Sequence, residues 1–179
     1  SAGSPGVLQR RTRVRLENGV EVSRAPDGEV VTVAPQNHVI RYGTAIVMRT
    51  IDTPEGPVEY WRKVTMRVTS YTAASSGKAP GDPAYGITAS GAQAGFGVVA
   101  VDPTVVPFKS YVYVPGYGVA DAADTGSAVK GRWIDVAFDE GKLVPWSRCV
   151  DVYLLAPAPP DYLIQHILPK WPTAPCLYR

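Results

Sequence analysis

Glycine and proline punctuate this chain throughout, seventeen of each set among valine- and tyrosine-rich runs. Both residues disfavour helix interiors and serve the turns between strands. The chain is therefore expected to be all-β, with many short strands and little helix. In residues 11–24, Val14 and Leu16 alternate with charges, Asn18-Gly19 supplies a turn tolerant of positive φ, and Val20 and Val22 resume the alternation. That is a hairpin signal. Pro26-Asp27-Gly28 reads as another turn, and residues 29–33, 38–42 and 44–49 as further strands. This region is expected to act as a support or spacer, with His38 a strand or turn residue rather than a ligand.

Thr53-Pro54-Glu55-Gly56-Pro57 marks a tight turn, and residues 58–71 form a long strand candidate. Residues 73–86 read as a loop, with Lys78 in solvent. The apolar run Gly97-Val98-Val99-Ala100-Val101 has the look of a fully buried strand and stops at Asp102-Pro103. Residues 111–114, 132–138 and 149–155 alternate as strands do. About six short strands with long, unequal connections predict a small closed barrel rather than simple hairpins. After Leu155 an extended tail begins, in which Asp161 is expected to cap a short helix through Leu168, stopped by Pro169. Trp171, Leu177 and Tyr178 are expected to pack that tail back. The domain expectation is thus a small β module over 1–63, a barrel over 64–155 and a packed C-terminal tail over 156–179.

Composition excludes several function classes. With 45% hydrophobic and 19% charged residues, the 179-residue chain is neither disordered nor membrane-spanning. No apolar run approaches the ~20 residues of a spanning helix. Net charge is +2, and the run Arg10-Arg11-Thr12-Arg13-Val14-Arg15 alternates as a solvated strand face, so no nucleic-acid partner is expected. Cys149 and Cys176 fit either a single disulfide, as in an exported protein, or two buried thiols. His38 and His166 stand far apart, so no metal site is expected. The opening Ser-Ala-Gly-Ser-Pro-Gly lacks Met and an apolar signal segment, as a mature or trimmed fragment would. Nothing in the sequence specifies an oligomeric state.

Chemistry concentrates on three aspartates, each adjoining an apolar or small-residue segment: Asp102, Asp124 and Asp135. Strand parity over residues 132–138 puts Ile134, Val136 and Phe138 on a core face, and Trp133, Asp135 and Ala137 on the other. A carboxyl beside an indole and partly shielded from water has its neutral form favoured. A neutral carboxylic acid can protonate the leaving oxygen of a glycosidic bond, and the aromatic surface of Trp133 can stack on sugar faces. Asp102 and Asp124 each precede a turn, where an aspartate often binds its own backbone. As neighbours of Asp135 they would instead raise its proton affinity. Lys130 either pairs with a carboxylate or lies in solvent, and Thr88 and Ser90 are either hydrogen-bond donors to a sugar or plain turn residues. Asp124-Thr125-Gly126 also matches the triplet of aspartic peptidases. That reading needs a homodimer, a flap and a second apolar-apolar-Gly segment, which the sequence does not supply.

Three motifs in order, Gly97-Val98-Val99-Ala100-Val101-Asp102-Pro103, then Ala123-Asp124-Thr125-Gly126-Ser127-Ala128-Val129-Lys130-Gly131, then Ile134-Asp135-Val136, resemble the three-aspartate (3D) domain. This is the domain of stationary-phase-survival and resuscitation-factor-like proteins, related to the C-terminal motif of membrane-bound lytic transglycosylase A. The resemblance covers roughly residues 66–155. Residues 16–44 more loosely resemble the end of a glycine-five domain. The resemblance implies a six-stranded double-psi β-barrel and lytic transglycosylase activity on peptidoglycan glycan strands, without metal or cofactor, in an extracellular or wall-associated protein. By position, Asp135 matches the acid/base, and Asp102 and Asp124 the supporting aspartates; Thr88, Thr125, Gly126, Lys130 and Trp133 are substrate-binding candidates around them. Two departures stand out. Ser127 occupies a usual glycine position, and Phe108-Lys109-Ser110 replaces a usual Leu-Gly-Thr.

Overall fold

A computed structural model describes residues 1–41, 43–169 and 176. Asn18 and Gly19 take φ of 52° and 82°, as a two-residue hairpin turn matched to strand twist requires. They join β1 (Val7–Glu17) to β2 (Val20–Val33) in an antiparallel ribbon. The turn expected at Pro26-Asp27-Gly28 is instead absorbed inside β2. Arg10 pairs with Glu29 and Thr12 with Pro26, so Asp27 and Gly28 oppose Arg11 alone, and Gly28 adopts φ 115°. A bulge takes up the extra residue, and proline is tolerated where no further strand needs its missing N–H. The strands expected over 38–42 and 44–49 do not form: among the described residues, 37–48 contain no strand, and β3 begins only at Arg49. Val39 and Ile40 are exposed, so no buried face rewards their alternation.

The chain divides into two units, Ser1–Gly43 and Thr44–Arg179. The division falls before the position near Lys63 expected from sequence. Lys63 lies inside β4 (Gly56–Tyr71), where it pairs with Tyr153.

In the second unit, β3 (Arg49–Thr53) forms a hairpin with the first part of β4. The remaining strands are β5 (Val98–Val101), β6 (Tyr111–Val114), β7 (Gly118–Asp124), β8 (Trp133–Ala137) and β9 (Ser147–Leu155). They pair in the order β4-β8-β5-β7-β6-β9, and β9 returns to β4, closing six strands into a barrel. Pairs β4–β8 and β5–β7 are parallel and the others antiparallel. This is the double-psi β-barrel of the resemblance. Its interior is filled from alternate positions of every strand: Met66 and Val68, Val99 and Val101, Val112 and Val114, Ala120 and Ala122, Ile134 and Val136, Val152 and Leu154. Residues 118–124 are strand despite four small residues because both neighbours supply ladder partners.

The expected C-terminal helix is a correction. Only a single 3-10 turn forms, Asp161–Leu163, and Asp161 caps nothing; Pro160 occupies the N-cap and the Asp161 carboxylate meets His166 at 3.1 Å. Prolines at 157, 159 and 160 hold the preceding chain extended, and Ile164 and Leu168 pack singly against the barrel core rather than as a helical stripe. Trp171, Leu177 and Tyr178 lie outside the described residues. Cys149 on β9 is disulfide-bonded to Cys176. Among the described residues, no helix is long and apolar enough to cross a membrane.

Candidate active site

Because Ile134 and Val136 point into the barrel, Asp135 points out, as do Ala100 on β5 and Tyr71 on β4. Asp124 reaches the same face by a different route. Ala120 and Ala122 face the core, so strict alternation would send Asp124 inward as well. Between Val98↔Asp121 and Ala100↔Asp124, however, β7 carries one residue more than β5, and this bulge turns Asp124 outward. Ala100 is then the register partner of both aspartates, Asp124 on one side and Asp135 on the other. Two strand spacings put their Cα atoms about 10 Å apart. A methyl side chain between them leaves the gap open.

That gap is the floor of a cleft of about 390 Å³. One wall is the segment Thr125, Gly126, Ser127, Ala128 and Val129; the other is Ser75, Ser76 and Gly77. Gly126 is required by packing, since a Cβ there would stand 2.9 Å from the Val129 side chain. The opposite wall is tied down by the Ala74 N–H, which donates to Glu140 at 2.7 Å. The volume lies in the range of ligand sites.

The two carboxyls of the cleft differ in their surroundings. Asp124 accepts three hydrogen bonds: Oδ1 from the backbone N–H of Ala89 and of Thr125, both at 2.9 Å, and Oδ2 from the Tyr71 hydroxyl at 2.8 Å. Tyr71 is held protonated, its pKa driven up by burial and by the Asp124 carboxylate. Asp135, in contrast, has Oδ1 buried without a hydrogen-bond partner. Burial raises its pKa, the Thr69 hydroxyl alongside acts in the opposite direction, the Asp124 charge adds to the rise, and the net shift is upward. The site therefore pairs a carboxyl that accepts three hydrogen bonds with a proton-retaining acid.

Of the positions singled out from sequence, the fold brings Asp135, Asp124, Thr125 and Gly126 to the cleft, and leaves Asp102, Thr88, Lys130 and Trp133 off its lining. Asp102 directly follows β5 and is buried. Its Oδ1 accepts from the Thr104 N–H and hydroxyl at 2.9 and 2.7 Å, and its Oδ2 from the Gly131 N–H at 2.6 Å. Burial alone would raise its pKa, but these bonds, with the charge of Lys130, outweigh it and hold Asp102 below the usual carboxylate range. It anchors the end of the 125–131 segment. Thr88 is buried and its hydroxyl meets Ser90 at 3.0 Å, so this turn serves to present the Ala89 N–H to Asp124. Lys130 is exposed. The Trp133 indole donates to Thr69 and is covered by the Arg67 guanidinium, 4.4 Å from the ring centre, which takes up a ring face expected to receive sugar. Lys78 donates to the Ile87 carbonyl at 2.9 Å.

Sequence reading missed Tyr71, whose partner lies 53 positions away, and Ala100, whose value is its smallness between two acids. A signal for Ala100 was present: it is the one non-valine in Val98-Val99-Ala100-Val101. Among the described residues, no three of His, Cys, Asp and Glu gather as a metal site would require.

Comparison with known proteins finds two family matches and two relatives from Bacillus subtilis. Residues 97–156 match the 3D domain and residues 1–45 the G5 domain. YabE of Bacillus subtilis (strain 168), named for cell wall shaping, is 37% identical over 144 residues, covering 74% of this chain and 35% of YabE. YocH of the same organism, named a cell wall-binding protein, is 46% identical over 79 residues, covering 42% of this chain and 25% of YocH. The chain thus spans about a third or less of the length of these relatives.

Proposed function

Since the chain belongs to the 3D-domain proteins and carries a G5 domain ahead of that match, we propose that it is a peptidoglycan lytic transglycosylase acting in the cell wall, outside the cell. The observation that carries this reading is the asymmetry of the cleft: Asp135 is half-buried, with a buried unpartnered oxygen and a raised pKa, beside an Asp124 that accepts three hydrogen bonds. The names of the relatives, for cell wall shaping and cell wall binding, support the substrate class. The Cys149–Cys176 disulfide supports an oxidising compartment.

In this mechanism a glycan strand lies in the cleft with the β-1,4 bond between N-acetylmuramic acid and N-acetylglucosamine above Asp135. The neutral Asp135 carboxyl gives its proton to the bridging oxygen as the C1–O bond breaks, with positive charge developing at C1. The Asp135 carboxylate then takes the proton of the C6 hydroxyl while O6 bonds to C1, closing the 1,6-anhydro ring. The proton returns to Asp135, and no water is consumed. Asp124, which accepts three hydrogen bonds, contributes negative potential that favours the cationic transition state and keeps the proton on Asp135 at the start. Thr125, Gly126, Ser127, Ser75 and Ser76 offer hydroxyls and backbone to the sugar.

A second reading is favoured by the name of YocH: a peptidoglycan-binding module without catalysis. Incubating purified sacculi with the protein and with Asp135→Asn separates the two. The transglycosylase yields anhydromuropeptides detectable by mass spectrometry, with a loss on the order of 10²-fold or more in the variant. Wild type that yields none, or a variant that yields as many, overturns it. Co-sedimentation with sacculi without release identifies the binding module, and reducing-end products identify a hydrolase.

A further inference from the structure

Trp133 neighbours Asp135 on β8 without lining the cleft, so its effect on the site must pass through its contacts. Its indole N–H donates to Thr69 Oγ1 at 2.8 Å, and Arg67 fixes the ring from above at 4.4 Å. Thr69 is the residue of β4 that pairs with Asp135 across the parallel β4–β8 ladder, as Arg67 pairs with Trp133. A threonine hydroxyl has one proton and two lone pairs. With one lone pair taken by the indole, the proton is directed elsewhere, and the carboxyl across the ladder has a buried, unpartnered Oδ1. A buried carboxylate with no donor is costly, yet an acid that later serves as base must spend part of each cycle ionised.

We propose that Thr69 is the positioning residue for Asp135: Trp133 orients its hydroxyl, and the hydroxyl donates to the Asp135 carboxylate after proton transfer. This rests on Asp135 being the acid and base. The other groups that face Asp135 cannot replace it. From β4, Tyr71 is committed to Asp124 and Arg67 lies over the indole. From the end of β7, Asp124 is an acceptor. β5 presents Ala100, and neither cleft wall carries a charge. Thr69 thus works against burial and the Asp124 charge, which both favour the neutral acid.

The test uses the whole chain with Thr69→Val, which keeps shape and removes the hydroxyl, Thr69→Ser, which restores it, and Trp133→Phe, which removes the indole N–H and keeps a smaller aromatic ring. The Asp135 carboxyl is titrated by carbon-13 NMR, and anhydromuropeptide release is followed against pH. Thr69→Val is expected to move the Asp135 midpoint upward by about 1–2 pH units, the weight of one hydrogen bond to a carboxylate, and to move the pH-rate limb with it. Trp133→Phe moves both in the same direction by less, and Thr69→Ser returns them to wild type. An unchanged midpoint in Thr69→Val, or a shift that Thr69→Ser fails to reverse, overturns the proposal. If wild type releases no anhydromuropeptide while the NMR midpoint still moves, the transglycosylase reading falls and the positioning of Asp135 stands.

Discussion

The barrel and the N-terminal ribbon are made of the same material, alternating strands with β-branched residues, yet only the barrel has an interior. Within Thr44–Arg179 six strands close around an interior in which, among the described residues, twelve large side chains are almost completely buried. Within Ser1–Gly43 every described residue is exposed. The ribbon holds by its backbone ladder and by exposed ion pairs such as Arg10–Glu29 and Arg13–Asp27, both 2.7 Å, each worth at most about 1 kcal/mol. Alternation therefore makes strands, whereas closure makes a rigid wall. A carboxyl with a displaced pKa needs the second, because only a packed surface can exclude water from one side of it.

Matched substitutions in the two regions test this contrast. The largest expected effect is Ile134→Ala in the barrel, which removes a side chain of 0% exposure and costs about 2–5 kcal/mol by urea unfolding. Leu16→Ala in the ribbon, 60% exposed, shifts the same transition by about 0.5 kcal/mol or less. Equal losses would remove the distinction.

Next in size is Asp102→Asn, which puts an amide where the Gly131 and Thr104 N–H groups need acceptors and costs about 1–3 kcal/mol. Asp27→Asn, at an exposed pair in the ribbon, costs less than about 1 kcal/mol. Since the folded-state pKa of Asp102 is lowered, its contribution is full above the unfolded carboxyl range near 4 and is lost as pH falls through the folded value. Unfolding curves at neutral and acid pH should show the gap between wild type and variant closing in acid.

A gain is expected at Lys109. This residue stands where the family resemblance has glycine, and it adopts φ 64° while its N–H donates to the Ala122 carbonyl. Lys109→Gly relieves a left-handed conformation and should stabilise by up to about 1 kcal/mol, less the entropy that glycine loses. Asn18→Gly, at φ 52° in the ribbon turn, should change little, because asparagine already tolerates that region. Thermal unfolding of the pair reads the difference.

The smallest shift is Asp135→Asn. The folded-state pKa of Asp135 is raised, so the folded state holds this proton longer than the unfolded one and stability declines as pH rises from about 4 through the folded value. The variant should be the more stable protein above that window and lose its advantage below it.

Much of this molecule was legible before any coordinates. The Asn18-Gly19 hairpin, the long strand through residues 58–71, the closed barrel and the outward aim of Asp135 all follow from turn chemistry and from alternation between neighbours. Where the reading failed, the deciding partner was distant. Pro26-Asp27-Gly28 looked like a turn because a bulge shows only against the opposing strand. Asp102 looked like a partner of Asp135, but its ligands are Thr104 and Gly131. Trp133 looked like a sugar platform, but Arg67 covers it.

The sequence by itself determined which residues could carry chemistry and, through the 2-residue period of a strand, that Asp135 leaves the core where Ile134 and Val136 enter it. Tertiary structure alone decided which second carboxyl joins it. A bulge in β7 reverses the parity of Asp124, Ala100 holds the space between the acids, and Tyr71 and Ala89 donate hydrogen bonds to Asp124. The physical reason is range. Side-chain alternation is set by the sterics of adjacent residues, while register between strands remote in sequence is set by ladder hydrogen bonds and by the packing of a closed core.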